Sequence, residues 1–222
     1  MEDNLSVWEG IFSQRQWGKY PAVPLIRTIV SFFRDKDRSN LKILELGSGP
    51  GAHLWYLARE GFRVYGIEGS PSAVKQSIER LTQEGLEAQI GQIIAGDYAD
   101  IPFEDNFFDA IIDMESLYCN SFQKSRQIIE LSFQKLKPGG LFFSQTFADG
   151  TWGIEGQEID YHAFVPTEGP MAQMGFTRYT TREDIEKLYL LPQNKIVNIE
   201  RYDRNLMNGK AIKEWAIELH KT

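Results

Sequence analysis

The stretch Leu41-Lys42-Ile43-Leu44-Glu45-Leu46-Gly47-Ser48-Gly49-Pro50-Gly51 decides the fold. It opens as a short apolar run that contains one acid, and a cluster of Gly, Ser and Pro follows. Leu54, Leu57 and Ala58 then recur at helical spacing before Gly61. The pattern predicts a strand, a glycine-rich loop and a helix.

The same alternation continues along the chain. Further strands are predicted within residues 62–67, 88–95, 108–113 and 141–147, with helices from Ser70-Pro71 to Gly85 and over 123–137, the second ended by Pro138-Gly139-Gly140. Strands that alternate with helices of this length predict βαβ units and a parallel sheet covered on both faces. The fold class is therefore α/β, a three-layer sandwich.

The C-terminal part of the chain follows a different pattern. Residues 148–180 are rich in Gly, Pro and aromatics without periodicity, which is typical of a functional loop or lid, here expected on the substrate side. A helix is expected to begin at Thr181, where Asp184 has capping-box spacing. Strands near 195–202 and 211–220 meet at Asn208-Gly209, a strong hairpin turn. We expect residues 1–38 to form an N-terminal helical cap and residues 39–222 to form one domain.

Composition argues against several functional classes. The 222 residues carry a formal charge of -7 and no dense basic run, so a nucleic-acid partner is not expected. No apolar stretch could span a membrane, and Met1-Glu2-Asp3-Asn4 lacks a basic and apolar leader pattern, which predicts a cytoplasmic protein. One cysteine, Cys119, and three scattered histidines predict neither a disulfide nor a metal site.

The glycine loop alone is compatible with two kinds of ligand. Gly47, Gly49 and Ala52 satisfy a dinucleotide fingerprint, and Glu68 stands where that fingerprint has its ribose-binding acid, so a nicotinamide-dependent oxidoreductase is an alternative. Glu45 argues against it, because a negative charge two residues before the loop disfavours a pyrophosphate. A zwitterionic ligand that carries a sulfonium suits that charge. No Tyr-x-x-x-Lys pair follows the loop, and no second substrate domain remains.

Five blocks of the chain, in order, resemble the class I S-adenosylmethionine-dependent methyltransferases, in their small-molecule subgroup. The blocks are residues 43–51, 64–70, Asp97 with 101–103, 108–113 and 136–140. The resemblance implies a Rossmann-like, seven-stranded, mostly parallel sheet with an antiparallel last strand. It also implies S-adenosylmethionine as the cofactor, S-adenosylhomocysteine as the product, and a methyltransferase domain over residues 39–222.

Cofactor-binding roles follow from the resemblance, position by position. The loop would contact the methionine end of the cofactor, with Glu45 and Asp113 near the methionine amino group. Glu68 would bind both ribose hydroxyls. Asp97 would contact the adenine amino group, and Tyr98 the edge of the adenine ring. Alternatively, Glu45, Glu68 and Asp97 are acids that face solvent or cap helices. The residues so implied are Glu45, Gly47, Ser48, Gly49, Gly51, Glu68, Gly69, Ser70, Asp97, Tyr98 and Asp113.

The acceptor side carries a weaker family signature. After the fourth strand the chain has Asp113-Met114-Glu115-Ser116-Leu117-Tyr118 instead of the family's Asn/Asp-Pro-Pro-aromatic motif, which argues against amide N-methylation of protein or nucleic acid. We expect methylation of an oxygen or nitrogen of a small molecule; a catalytically silent cofactor-binding protein is an alternative. The catalytic candidates are His162 and Glu115, and the acceptor-side candidates are Trp17, Tyr20, Tyr118, Tyr161 and Arg178, with Glu168 and Tyr179 nearby.

Overall fold

The computed structural model describes residues 4–15 and 17–222. Met1 to Asp3, on which the leader argument partly rests, and Gln16 of the expected cap lie outside the described residues. The helices are α1 (Asn4–Gln14), α2 (Val23–Phe32), α3 (Ala52–Arg59), α4 (Pro71–Gln83), α5 (Phe122–Lys135) and α6 (Arg182–Tyr189). The strands are β1 (Lys42–Leu46), β2 (Arg63–Glu68), β3 (Ile90–Ala95), β4 (Phe108–Met114), β5 (Leu136–Phe147), β6 (Ala163–Phe164), β7 (Thr177–Arg178), β8 (Asn194–Asn205) and β9 (Ala211–Lys221).

Seven strands form the central sheet, in the order β3-β2-β1-β4-β5-β9-β8. The strands β1 to β5 pair in parallel, whereas β9 runs antiparallel to both of its neighbours, β5 and β8. The mostly parallel sheet with an antiparallel last strand is therefore confirmed. Because parallel strands all end at one edge, the loops after β1, β2, β3 and β4 meet there.

Helices cover both faces of the sheet, as the alternation predicts. Ile43 packs into the cluster that includes Leu57 of α3, while its neighbour Leu44 packs into the cluster that includes Phe133 of α5. Successive side chains of a strand point to opposite faces, so one strand contributes to both cores. The result is a three-layer α/β sandwich.

Local sequence signals place most helix ends correctly. Thr181 and Asp184 form the predicted capping box, and Ser70 accepts a hydrogen bond from Ala73 N–H at the start of α4. The expected helix over 123–137 is too long, because α5 ends at Lys135 and β5 already begins at Leu136. A residue that precedes proline is driven to an extended conformation, and Lys137 precedes Pro138.

The N-terminal segment contains two helices with different partners. Leu25 and Ile29 of α2 are fully buried in the sheet-facing core, so α2 belongs to the sandwich. In contrast, α1 lies across α4, where Gln76 donates a hydrogen bond to Phe12 O at 2.7 Å. Asn4 accepts a hydrogen bond from Phe176 N–H, so α1 also reaches the irregular segment. Within the described residues, no helix has the length and apolarity needed to cross a membrane.

Candidate active site

The glycine loop is held against the ends of two strands. Gly47 N–H donates to Ile67 O at 2.8 Å, which ties the loop to β2. Gly47 has a φ of 64°, and a Cβ at this position would lie 2.4 Å from Ser116 Cβ, in the turn after β4. Only glycine permits both the left-handed conformation and this close approach. The loop therefore lies directly beside the residues that follow β4.

Glu68 ends β2 beside this loop, and its side chain is largely buried. One carboxylate oxygen accepts from Gly49 N–H at 2.7 Å and the other from Ser70 N–H at 2.8 Å. Burial raises the pKa of Glu68 above its ordinary value, and the two backbone N–H groups oppose that shift. The carboxylate is thus fixed in orientation while each oxygen retains capacity to accept further hydrogen bonds.

Glu45, inside β1, is paired on one side only. Its Oε1 lies 2.7 Å from His53 Nδ1, a residue in the first turn of α3. Its Oε2 is buried and has no hydrogen-bond partner among the described residues. Burial raises the pKa of Glu45, and His53 opposes the shift. An orphan carboxylate oxygen of this kind requires a donor, and a ligand amino group could provide it.

Asp97 lies in the loop after β3, where its two oxygens have different partners. Oδ1 accepts from Ala99 N–H, and Oδ2 contacts Lys124 Nζ at 2.9 Å. Burial alone would raise the pKa of Asp97, but these two contacts outweigh it and hold the pKa below its ordinary value. The neighbouring Tyr98 hydroxyl donates to Ser116 O, which connects this loop to the turn after β4.

These groups surround one cavity of about 490 Å³, a size within the range of small-molecule sites. The structure places most of the sequence-predicted residues on its wall. The predicted residues that line it are Glu45, Gly47, Ser48, Gly49, Glu68, Gly69, Asp97, Tyr98, Glu115, Trp17, Tyr20 and Tyr118. Residues that the sequence reasoning missed also line it, among them Phe12, His53, Lys124, Met171, Met174, Arg204 and Glu214.

Three residues expected at the cofactor do not line the cavity. Gly51 begins α3 in a left-handed conformation, packed against Ser77. Ser70 caps α4. Asp113 is fully buried, and its carboxylate accepts hydrogen bonds from Ser116 N–H, Leu117 N–H and two serine hydroxyls. This network shapes the turn after β4, which explains why the side chain faces inward and away from the cavity.

Three residues expected on the acceptor side are also placed elsewhere. Arg178 is 1% exposed, and its guanidinium donates to Thr180 Oγ1 and Ser125 Oγ inside the protein. His162 Nδ1 lies 2.8 Å from Asp184 Oδ2, and the Tyr161 hydroxyl donates to Asp184 Oδ1. None of the three lines the cavity. His162 and Tyr161 instead contact the buried carboxylate of Asp184, which belongs to the capping box of α6.

Two more carboxyl groups line the cavity. Glu115 directly follows β4, and Glu214 belongs to β9. Burial raises the pKa of Glu115 well above its ordinary value, and a hydrogen bond with Glu214 raises it further. The described residues contain no group of three or more His, Cys, Asp or Glu arranged to hold a metal ion.

Residues 44–144 match a family model described as a methyltransferase domain. Over 102 residues the chain is 29% identical to erythromycin 3''-O-methyltransferase of Saccharopolyspora erythraea, a match that covers 45% of this chain and 32% of the relative. Over 86 residues it is 35% identical to the bovine (Bos taurus) 18S rRNA (guanine-N(7))-methyltransferase, covering 37% of this chain and 28% of that one. The chain thus spans about a third of the length of these curated relatives.

The fold has close structural counterparts. The structure of a SAM-dependent methyltransferase from Methanosarcina mazei superimposes with a TM-score of 0.72 at 19% identity, over 90% of this chain and 98% of that one. The strand order and this likeness show that the chain has the fold of that protein, and the part of the chain that matches a methyltransferase domain, residues 44–144, runs from β1 into β5.

Proposed function

We propose that this chain binds S-adenosylmethionine in the 490 Å³ cavity and transfers its methyl group to an oxygen or nitrogen of a small metabolite. The observation that carries the proposal is the arrangement of Glu45 and Glu68 on either side of the glycine loop, both facing the cavity. The pair matches a ligand with a cation at one end and a hydroxylated ring next to it.

The polar groups of the wall match the parts of this cofactor. Glu68, held in orientation by Gly49 and Ser70, presents a carboxylate to the cavity that can accept hydrogen bonds from ribose hydroxyls. The Glu45 Oε2 and Ser48 Oγ atoms are buried without partners among the described residues, and both belong to the segment that would contact the methionine end. Asp97, which lines the same cavity, would accept a hydrogen bond from the adenine amino group.

The charge of the wall favours a cation over a polyanion. The acidic and basic lining residues are Glu45, Glu68, Asp97, Glu115, Glu214, Lys124 and Arg204, with His53 in addition. Five carboxyl groups against two permanent cations stabilise a sulfonium and an ammonium and oppose a pyrophosphate. The same imbalance, together with the net charge of -7, favours a small acceptor over a nucleic acid.

Trp8 and Phe12 of helix α1, together with Trp17 beyond its end, form an aromatic surface on the cavity wall. The Trp8 and Phe12 rings stack at 5.4 Å, and Trp17 packs edge-on against both. When bound, S-adenosylmethionine supplies a methyl group on a positively charged sulfur. The three aromatic side chains would exclude water from this methyl group. The rest of the cavity wall would align the acceptor for in-line displacement.

Methyl transfer can be tested with S-adenosylmethionine labelled in its methyl group and a panel of small amines and alcohols. We expect labelled product and stoichiometric S-adenosylhomocysteine with the wild-type protein. Glu68→Ala removes two charge-assisted hydrogen bonds, so cofactor affinity should fall by roughly 2–4 kcal/mol. Glu104→Ala removes an exposed carboxylate outside the cavity and serves as the matched control. Unchanged cofactor affinity in Glu68→Ala would contradict the assigned ribose site.

A further inference from the structure

Three strands of the sheet contribute polar side chains at or near the wall of the cavity. Glu115 follows β4, Gln145 lies in β5 opposite Met114, and Glu214 of β9 pairs in register with Phe147. Glu115 and Glu214 both line the cavity. They are far apart in the sequence, and the antiparallel pairing of β9 with β5 brings them together.

The backbone holds Glu115 in an unusual conformation. Its φ is 57°, a left-handed value that is rare for a residue other than glycine, asparagine or aspartate. Its N–H donates to Gln145 O at 2.9 Å, and Gln145 Nε2 donates to its carboxylate at 3.1 Å. The two hydrogen bonds to Gln145 thus hold Glu115 in place despite its unfavourable backbone conformation. Such strained residues are common at functional sites.

Glu115 and Glu214 bring two carboxyl groups to the wall of the same cavity. Gln145 bonds Glu115 but does not line the cavity, and its own Oε1 is buried without a hydrogen-bond partner among the described residues. Burial and the Glu214 carboxyl both raise the pKa of Glu115, because two adjacent carboxylates repel each other. Arg204 of β8 also lines the cavity, but its side chain is exposed. A positively charged group with N–H donors would pair with the two carboxyl groups of the cavity wall.

The wall beside the two acids is apolar. Phe147 and Met171 are buried in a cluster that also contains Tyr118, and Met174 and Ile212 pack against it. All five of these residues line the cavity. A ligand bound beside Glu115 and Glu214 would therefore contact carboxyl groups with one part and an apolar surface with another.

We propose that Glu115 and Glu214 form the acceptor subsite, and that the acceptor is a primary or secondary amine on an apolar body, methylated on nitrogen. This inference rests on the proposed function and narrows it from oxygen or nitrogen to nitrogen. Glu115 lies one residue before Ser116, which packs on Gly47 of the loop assigned to the methionine end. The acid pair is thus next to the place from which the methyl group would come.

The chemistry requires one proton to move before the methyl group does. An amine enters as an ammonium ion and pairs with a carboxylate of Glu115 and Glu214. The ammonium gives a proton to the carboxylate, which frees the nitrogen lone pair. That lone pair forms a bond to the methyl carbon while the carbon–sulfur bond breaks and its electron pair stays on sulfur. The products are a methylated ammonium ion and S-adenosylhomocysteine, and the acid pair then releases its extra proton to water.

Matched amines and alcohols test the acceptor class. We would compare benzylamine, phenethylamine and hexylamine with benzyl alcohol, phenethyl alcohol and hexanol, and measure S-adenosylhomocysteine formation. We expect turnover with the amines and at least tenfold less with the corresponding alcohols. Turnover of alcohols equal to or above that of amines, or no turnover of any amine by a protein that binds S-adenosylhomocysteine, would overturn the inference alone. Failure to bind S-adenosylhomocysteine would instead overturn the proposed function.

Variants test the two residues. Glu115→Gln and Glu214→Gln keep the side-chain shape, and each should raise KM for the amine at least tenfold while affinity for S-adenosylhomocysteine stays within twofold. Retained cofactor binding also shows that each variant is folded. Glu218→Gln, on the same strand but outside the cavity, is the control and should behave as wild type. A wild-type KM in both cavity variants would contradict the assignment.

Discussion

His53 Nδ1 lies 2.7 Å from Glu45 Oε1, while the other oxygen of Glu45 is buried with no partner in the part of the chain that the structure describes. This contact fixes the orientation of the Glu45 carboxylate and leaves its second oxygen available to a ligand. It also explains how an acid tolerates a position inside a parallel sheet, since a buried carboxylate needs a partner.

Glu45→Gln should weaken binding of S-adenosylhomocysteine by about 10- to 100-fold, because it removes one charge-assisted contact with the amino group. Burial raises the pKa of Glu45, so its charge is lost as pH falls through that raised value. Wild-type affinity should therefore be lower at pH 5 than at pH 7.5, and the difference should shrink in Glu45→Gln. Calorimetric titration at both pH values measures it; equal pH dependence in both proteins would count against a role for Glu45.

Asp97 should select the adenine amino group. Wild type should prefer S-adenosylhomocysteine over S-inosylhomocysteine, whose ring carries an oxygen in place of the amino group, by about tenfold or more. Asp97→Asn can donate to that oxygen, so the preference should largely disappear. Lys124→Met is the control, because it removes the ion pair with Asp97 and leaves the acceptor oxygen in place. Loss of selectivity in Lys124→Met alone would place base recognition on Lys124.

Arg178 should act on stability and not on the acceptor. Arg178→Met leaves Thr180 and Ser125 without a buried donor, which should lower the free energy of unfolding by about 2–4 kcal/mol. Arg182→Met, on the exposed surface of α6, should change it by less than about 0.5 kcal/mol. Urea denaturation compares the two. Unchanged stability with a raised KM for the acceptor would restore the acceptor role expected from the sequence.

The acid pair should make stability depend on pH. The folded state raises the pKa of Glu115, so between the ordinary value of about 4.3 and that raised value the unfolded chain loses a proton that the folded chain keeps. Stability should therefore fall as pH rises through this window, by up to about 1.4 kcal/mol per pH unit for one proton. Glu115→Gln should remove this contribution, as urea denaturation at pH 5 and pH 8 would show. An identical pH dependence in the variant would contradict a close Glu115–Glu214 contact.

Local patterns were sufficient for the sheet and for one side of the site. The parallel strands bring their carboxyl ends to one edge, so acids found at strand ends, such as Glu45 and Glu68, could be expected to meet at the glycine loop. The prediction needed only the period of each segment and the turn residues between segments.

The rest of the site depends on long-range packing. Glu214 joins Glu115 only because β9 inserts between β5 and β8, a pairing that no local signal specifies. Asp113 and His162 have the right chemistry for the roles expected of them, but nearby donors and acceptors turn both side chains away from the cavity. The residue type indicates which hydrogen bonds or proton transfers a side chain can make. The tertiary structure determines whether that side chain points into the cavity.

Calorimetric titration of the wild-type protein with S-adenosylhomocysteine and with NADH tests the central claim, that the cavity binds an adenosyl cofactor with a positively charged methionine end. We predict one S-adenosylhomocysteine per chain, binding that is lost or strongly weakened in Glu68→Ala, and no response to NADH. Binding of NADH with no response to S-adenosylhomocysteine would contradict the assigned cofactor site and the function built on it.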